Sequence, residues 1–230
     1  GFVRLTKKAE FLKNSKAIKV AIPQDEFIYS EQLCQFINDF NVGHVFSSAP
    51  ATEWPKIYSS IDRNRINITQ VLTGYLDEKT VTRINQLEIG SSERDIDIGY
   101  RTQRLGPSTG RHGQIKNDLA DVAAERSYRY GLISDISTRN KDILIQDDWF
   151  AFLLHCKYTI GVEGGTSILD PIGAIKEKVE EYLILHPSAS FEQVEDACFP
   201  GIDGSLSLFA ISPRHLEACA TKTCQILVEG

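Results

Sequence analysis

The chain has no methionine, no long apolar run, no basic excess and no Cys-x-x-Cys motif, and each absence narrows what it can be. Ordinary usage would place roughly five methionines in 230 residues. Together with a glycine at position 1, their lack leads us to expect an excised piece of a longer protein. The longest dense apolar stretch, residues 149–154 (WFAFLL), stops at His155, well short of the ~18–20 residues of a membrane span. Residues 1–15 carry four Lys/Arg without the unbroken apolar segment and cleavage site of a secretory signal. A soluble, cytoplasmic protein with no transmembrane segment is the expectation. The five cysteines, Cys34, Cys156, Cys198, Cys219 and Cys224, are odd in number and lie mostly in apolar periodic stretches, which reads as reduced core thiols rather than a disulfide frame or a zinc site. A net charge of −6 opposes the phosphate field of DNA or RNA, so no nucleic-acid partner is expected.

What is present has the proportions of a globular protein: 42% hydrophobic residues, 24% charged residues and 16 glycines. Apolar runs that read as buried strands alternate with segments of helical period, which predicts an α/β fold built on a parallel sheet. Strands are expected at residues 18–22, 44–46, 96–100, 132–133, 158–161, 208–211 and 225–228. Helices are expected at 30–40 with Ser30 as cap, 53–60, 77–87 with Asp77 as cap, 114–129, 149–156, 172–185 and 213–220. The Gly-Ser-Ser-Glu stretch at 90–93 interrupts the pattern. A domain boundary is placed there, giving domains of 1–89 and 90–230.

Three constellations carry candidate chemistry. Residues 98–117 hold Arg101, Arg104, Arg111 and Lys116 with no Asp or Glu, a local +4 between a strand's end and a helix start. Backbone N–H groups and the helix dipole at such a place favour phosphate, and His112 lies within the segment. A solvated basic loop is the plainer reading. Neither GxxxxGK[ST] nor GxGxxG occurs here, so the segment is neither a P-loop nor a dinucleotide fingerprint. The second constellation, Gly161-Val-Glu163-Gly164-Gly165-Thr-Ser167, presents a carboxylate where open α/β sheets bind ligands; a turn that merely needs glycine reads equally well. Ser167 lacks the flanks of a GxSxG nucleophile. The third, Arg214 and Glu217 on one face of a first helical turn, is either an intrahelical ion pair or a carboxylate offered to ligand hydroxyls. Asp25 and Glu26, after the first strand, are a candidate base pair or helix caps. Asp95 and Asp97 form a DxD better explained by strand alternation, and the five histidines lack metal-ligand spacing, so no metal site is assigned.

Pro213-Arg214-x-x-Glu217-Ala218, with the apolar strand before Glu229-Gly230, resembles the nucleotide-binding half of GT-B glycosyltransferases, especially the spore-coat-like group. Gln24-Asp25-Glu26, Thr73-Gly74-Tyr75, and Trp149-x-x-Phe152-Leu153 leading to Gly161-x-Glu163-Gly-Gly-x-Ser167 look like features of related bacterial proteins from polysaccharide loci. The resemblance spans about residues 17 to 230. It implies that 90–230 is the Rossmann-like nucleotide-sugar-binding domain, truncated at its C-terminus, and that 1–89 is part of the acceptor-side Rossmann-like domain. It further implies that Glu217 binds ribose, and that Arg101 or Arg104 with Lys116 holds the diphosphate. Arg111, His112, Glu163, Gly164, Gly165 and Arg214 would line the same pocket, and Asp25 or Glu26 would deprotonate the acceptor. The implied activity is metal-independent transfer of a sugar from a nucleoside-diphosphate sugar to a glycan or other hydroxyl acceptor, with no cofactor beyond the donor itself. The position eight residues before Glu217, a second Glu in retaining members, is Phe209, which leaves the stereochemistry open. A non-catalytic nucleotide-sugar-binding or scaffold module, or another GT-B enzyme such as a sugar-nucleotide epimerase, stays open beside it.

Overall fold

A computed structural model describes residues 2–87 and 94–229. In chain order the elements are α1 (Phe2–Ala9), β1 (Val20–Ala21), α2 (Ser30–Asp39), β2 (His44–Ser47), α3 (Trp54–Ile57), β3 (Asn67–Gln70), α4 (Glu78–Leu87), β4 (Ile96–Arg101), α5 (Gly110–Arg129), β5 (Ser134–Ser137), α6 (Asp147–His155), β6 (Cys156–Val162), β7 (Gly164–Thr166), α7 (Ala174–Leu185), α8 (Phe191–Cys198), β8 (Leu208–Ala210), α9 (Pro213–Ala220) and β9 (Cys224–Val228). The chain is α/β with parallel sheets, compatible with a Rossmann-like fold.

It divides into two compact units, residues 1–71 with 166–208, and residues 72–165 with 209–230. The division expected at 89/90 thus falls instead at 71/72, and each unit is assembled from two separate segments. Residues 90–93, on which that expectation rested, lie outside the described residues. The physical reason for the discontinuity is visible in the first unit. Its parallel sheet runs in the order β1-β2-β3, and apart from that sheet an isolated parallel bridge joins Ile28 to Asp170. Tyr29 N–H donates to Asp170 O (2.9 Å) and Asp170 N–H to Phe27 O (2.8 Å). Leu206 and Leu208 then enter the same buried cluster as Cys34, Ile37, Phe40, Val45, Ile57 and Tyr58. Each fully buried large side chain is worth about 1.5–3 kcal/mol, so the 166–208 segment belongs thermodynamically with the first strands. A second cluster, Ile168, Val179, Val194 and Phe199, seats α7 and α8. The N-terminus of α8 carries a capping box between Ser190 and Gln193.

The second unit has a four-stranded parallel sheet in order β5-β4-β6-β9. β4 passes through α5 to β5 on one side, and the chain then returns through α6 to β6 on the other side of β4. The strand order therefore reverses between β4 and β6, and ligands of open α/β sheets bind beyond the C-terminal ends of strands at such a switch point. Arg94 ties the far end of this sheet together: its guanidinium donates to Leu153 O (3.1 Å), Cys156 O (2.5 Å), Thr223 Oγ1 (3.1 Å) and Thr221 O (2.7 Å). The Asp95-Ile-Asp97 pair is likewise structural, since Asp97 accepts from Ile133 N (2.8 Å) and Lys157 (2.7 Å), and Asp95 pairs with His155 (2.8 Å). Thr73 Oγ1 donates to Ile211 O and Gly74 lies against Pro213, which fixes the segment before α9.

Cys34, Cys156 and Cys198 are buried, but Cys219 and Cys224 are exposed, a correction to their reading as core thiols. Burial pushes the Cys156 thiol up to about 12. Among the described residues, no helix is long and apolar enough to cross a membrane.

Candidate functional site

At the switch point of the second unit the last residue of β4, Arg101, meets the first turn of α9. A cavity of about 460 Å³ opens there, lined by Arg101, Thr102, Ser137, Trp149, Arg214 and Glu217 among others. That volume lies within the ~300–1,000 Å³ of small-molecule sites. A smaller compartment of about 40 Å³ adjoins it, sharing Arg101, Trp149 and Arg214 and adding Lys116, Gly161, His215 and Gln225.

Local structure explains how these side chains are held. Arg101 is largely buried; its guanidinium donates to the Asp135 carboxylate (2.6 Å) and to Asp135 O (2.8 Å) on β5, and lies 4.5 Å from the Phe152 ring centroid. Its Nε is buried, with no hydrogen-bond partner among the described residues. Arg214 donates to Arg101 O (2.7 Å) and sits 5.7 Å over the Trp149 ring. The Trp149 indole N–H in turn donates to Glu217 Oε2 (2.8 Å). Arg214 and Glu217 thus each have a partner outside α9, and Glu217 lines the cavity. Lys116, in the second turn of α5, has its amine held below the ordinary lysine range by burial and by the nearby Arg214 charge.

The sequence-predicted residues are not all gathered here. Arg101, Arg214 and Glu217 line the larger cavity, and Lys116 the smaller. Arg104 lies outside both; it is exposed and paired with Asp121 (2.5 Å). Arg111 is also exposed and lines neither, because α5 begins at Gly110 instead of Gln114 and carries residues 111–113 into its first turn. The local +4 is therefore offset by carboxylates 17 and 34 residues away, Asp121 and Asp135. His112 is buried and stacked on Phe209 (4.0 Å between centroids). Burial holds it below the ordinary histidine range, and the Lys116 charge adds to that while Glu163 opposes it. Glu163 is half-buried at the end of β6, next to His112. Gly165 has φ of +133°, a conformation that favours glycine, so its role is met by backbone geometry, and Gly164 with it forms the short β7.

Asp25 and Glu26 belong to the first unit. Asp25 is exposed, but Glu26 is fully buried. Its carboxylate accepts from Ser47 Oγ (2.5 Å), Ser48 N (2.8 Å) and Tyr58 OH (2.5 Å). Burial and this carboxylate raise the Tyr58 hydroxyl, keeping it a donor. A group so placed does not meet solvent, and the expectation of a cleft-facing base at Glu26 is corrected: spacing after a strand gave its position but not its inward rotamer.

Sequence reasoning passed over His215 and Arg139 and took Trp149 only as a motif residue. Arg139 lines the larger cavity and pairs with Asp142 (2.6 Å). The signal for His215 and Trp149 lay in their neighbours, since both sit within three residues or one ring contact of Arg214. Among the described residues no group of three His, Cys, Asp or Glu side chains is arranged to hold a metal. What the arrangement can do is bind an anion: two guanidiniums and an ammonium face one compartment, beside a carboxylate that accepts hydroxyl donors. No known protein family, characterised protein or solved structure matches this chain.

Proposed function

We propose that the second unit binds a nucleoside-diphosphate sugar and that the protein serves glycosyl transfer to a hydroxyl acceptor. The observation that carries this reading is the pairing, in one cavity beyond β4, of the cations Arg101 and Arg214 with the indole-anchored carboxylate of Glu217. The cations suit a diphosphate, and stabilising the negative charge on a departing diphosphate is what electrostatic catalysis of such a transfer requires. Glu217 keeps lone pairs for vicinal ribose hydroxyls, because the indole occupies one of its oxygens. Arg101 has its geometry fixed by Asp135 before any ligand arrives, so little side-chain entropy is lost on binding.

A binding module without turnover is the second reading, and Glu26 favours it, because its engagement with Ser47, Ser48 and Tyr58 removes one of the two candidate bases. Calorimetric titration of the chain with UDP-, ADP- and GDP-sugars tests the binding. Affinity selective for one nucleotide and lost in Arg214→Ala and Glu217→Gln supports it; equal, weak, salt-sensitive affinity for all of them would overturn it. Donor hydrolysis or transfer, assayed on the same samples, separates enzyme from module.

A further inference from the structure

The smaller compartment contains one group that the site reading leaves without a task, the imidazole of His215. The ring lies over β6 at Gly161: a methyl group at that position would stand 3.0 Å from Nε2 and 3.5 Å from Cδ2. A glycine there leaves the ring its seat. From below, the Gln225 amide donates to the His215 carbonyl (3.1 Å) and holds the turn of α9 that bears it. Three cations line the same compartment, Lys116 from α5, Arg101 from β4 and Arg214 from α9. We propose that His215 is a ligand-contacting residue of this site, and that its imidazole takes up a proton when a diphosphate diester binds and then donates to a phosphoryl oxygen.

The inference rests on the diphosphate reading of the cavity. A compartment of about 40 Å³ admits a water or a single phosphoryl oxygen, since one water needs roughly 10–15 Å³ of such space; the phosphorus atoms stay in the larger cavity. In the free protein, burial first and then the charges of Lys116 and Arg214 hold His215 below the ordinary value of 6.5, while Glu163 acts in the opposite direction. The ring is therefore mostly neutral at pH 7. A diphosphate diester brings two fixed negative charges against the cations that suppress protonation. The balance at the ring is reversed and its affinity for a proton rises. By linkage, if binding takes up a proton, affinity must rise as pH falls. The effect is absent where the bound ring is still neutral and saturates below the free ring's own titration.

The diester phosphates of a nucleotide sugar do not titrate between pH 6 and 8, so protons counted there belong to the protein. The experiment is calorimetry of the full chain with UDP-glucose, ADP-glucose and GDP-mannose at pH 6, 7 and 8, in two buffers of different ionisation heat. Expected for a sugar nucleotide that binds is an uptake approaching one proton at pH 7 and an affinity rising several-fold from pH 8 to pH 6. His215→Gln should bind more weakly at pH 6, with no uptake and a flat pH profile. Gly161→Ala, which fills the ring's seat while leaving the ring present, should lower the uptake without abolishing binding at pH 8. Binding with no net proton, or with the same uptake in His215→Gln, would overturn the inference and leave the diphosphate reading standing. Failure of all three sugar nucleotides to bind would overturn that reading, and this inference with it.

Discussion

Each unit sets a glutamate near the C-terminal end of its parallel sheet, and the two are treated in opposite ways. Glu26 in the first unit is buried and accepts from three hydroxyls and a backbone N–H. Glu217 in the second is half-buried, has an indole as its side-chain donor and borders a cavity with three guanidiniums. A carboxylate whose lone pairs are saturated by its own fold is a structural part, whereas one held on one side and open on the other can still bind. Distance along the chain from a strand end does not separate the two; the count and origin of their donors does.

That contrast can be broken by substitution. The largest effect is expected from Glu26→Ala, which strands the Ser47 and Tyr58 hydroxyls in the core. Two buried donors left without acceptors cost about 2–6 kcal/mol together, read as a lowered denaturant midpoint, with sugar-nucleotide affinity unchanged in the fraction that stays folded. A Glu26→Ala protein of full stability that lost only activity would make Glu26 the functional carboxylate and reverse the comparison. Arg214→Ala should weaken nucleotide-sugar binding by about 1.5–3 kcal/mol, the usual worth of a charge-assisted contact, with little change in thermal stability. Trp149→Phe keeps the ring under Arg214 but deletes the hydrogen bond to Glu217. A loss near 1 kcal/mol is expected, in affinity for the sugar nucleotide and not for inorganic phosphate, because ribose contacts depend on the carboxylate's aim. Smallest of all, Arg104→Ala removes an exposed ion pair with Asp121 and should alter stability and affinity by under about 1 kcal/mol. A larger loss of affinity would return Arg104 to the site.

The α/β class and most helices were legible from periodicity, and α9 matches its expected residues 213–220. Strand ends were less so. Of residues 18–22 only Val20 and Ala21 enter the ladder, and Ile18 and Ile22 are exposed at 92% and 74%, so apolar composition alone overstated that strand. Residues 132–133 likewise precede β5, which begins at Ser134. Ser30 is buried inside α2, and Tyr29 in a left-handed conformation takes the cap position instead. Asp77 does cap α4, accepting from Thr80 N (2.9 Å). The start of α5 was hidden by Gly110 and Gly113, and α8 was missed although its Ser190-x-x-Gln193 signature is present. For the site, identity was readable but company was not. Arg101 and Glu217 stand out by charge, yet Asp135 and Trp149, which aim them, are 34 and 68 residues away.

The interleaving of the two units bears on how the protein is made. A ribosome finishes β1 to β3 early, but Leu206 and Leu208, which complete their core, emerge only after the whole run from β4 to β6. β9, the last strand of the other sheet, follows later still. Neither half can close vectorially during synthesis, as successive domains ordinarily do, and both must wait with apolar surface uncovered until nearly the entire 230-residue sequence is out. Long-range closure of this kind slows folding. It also means that splitting the gene at a single point cannot yield either unit whole, whereas a permuted gene that joins 166–208 directly to 1–71 could.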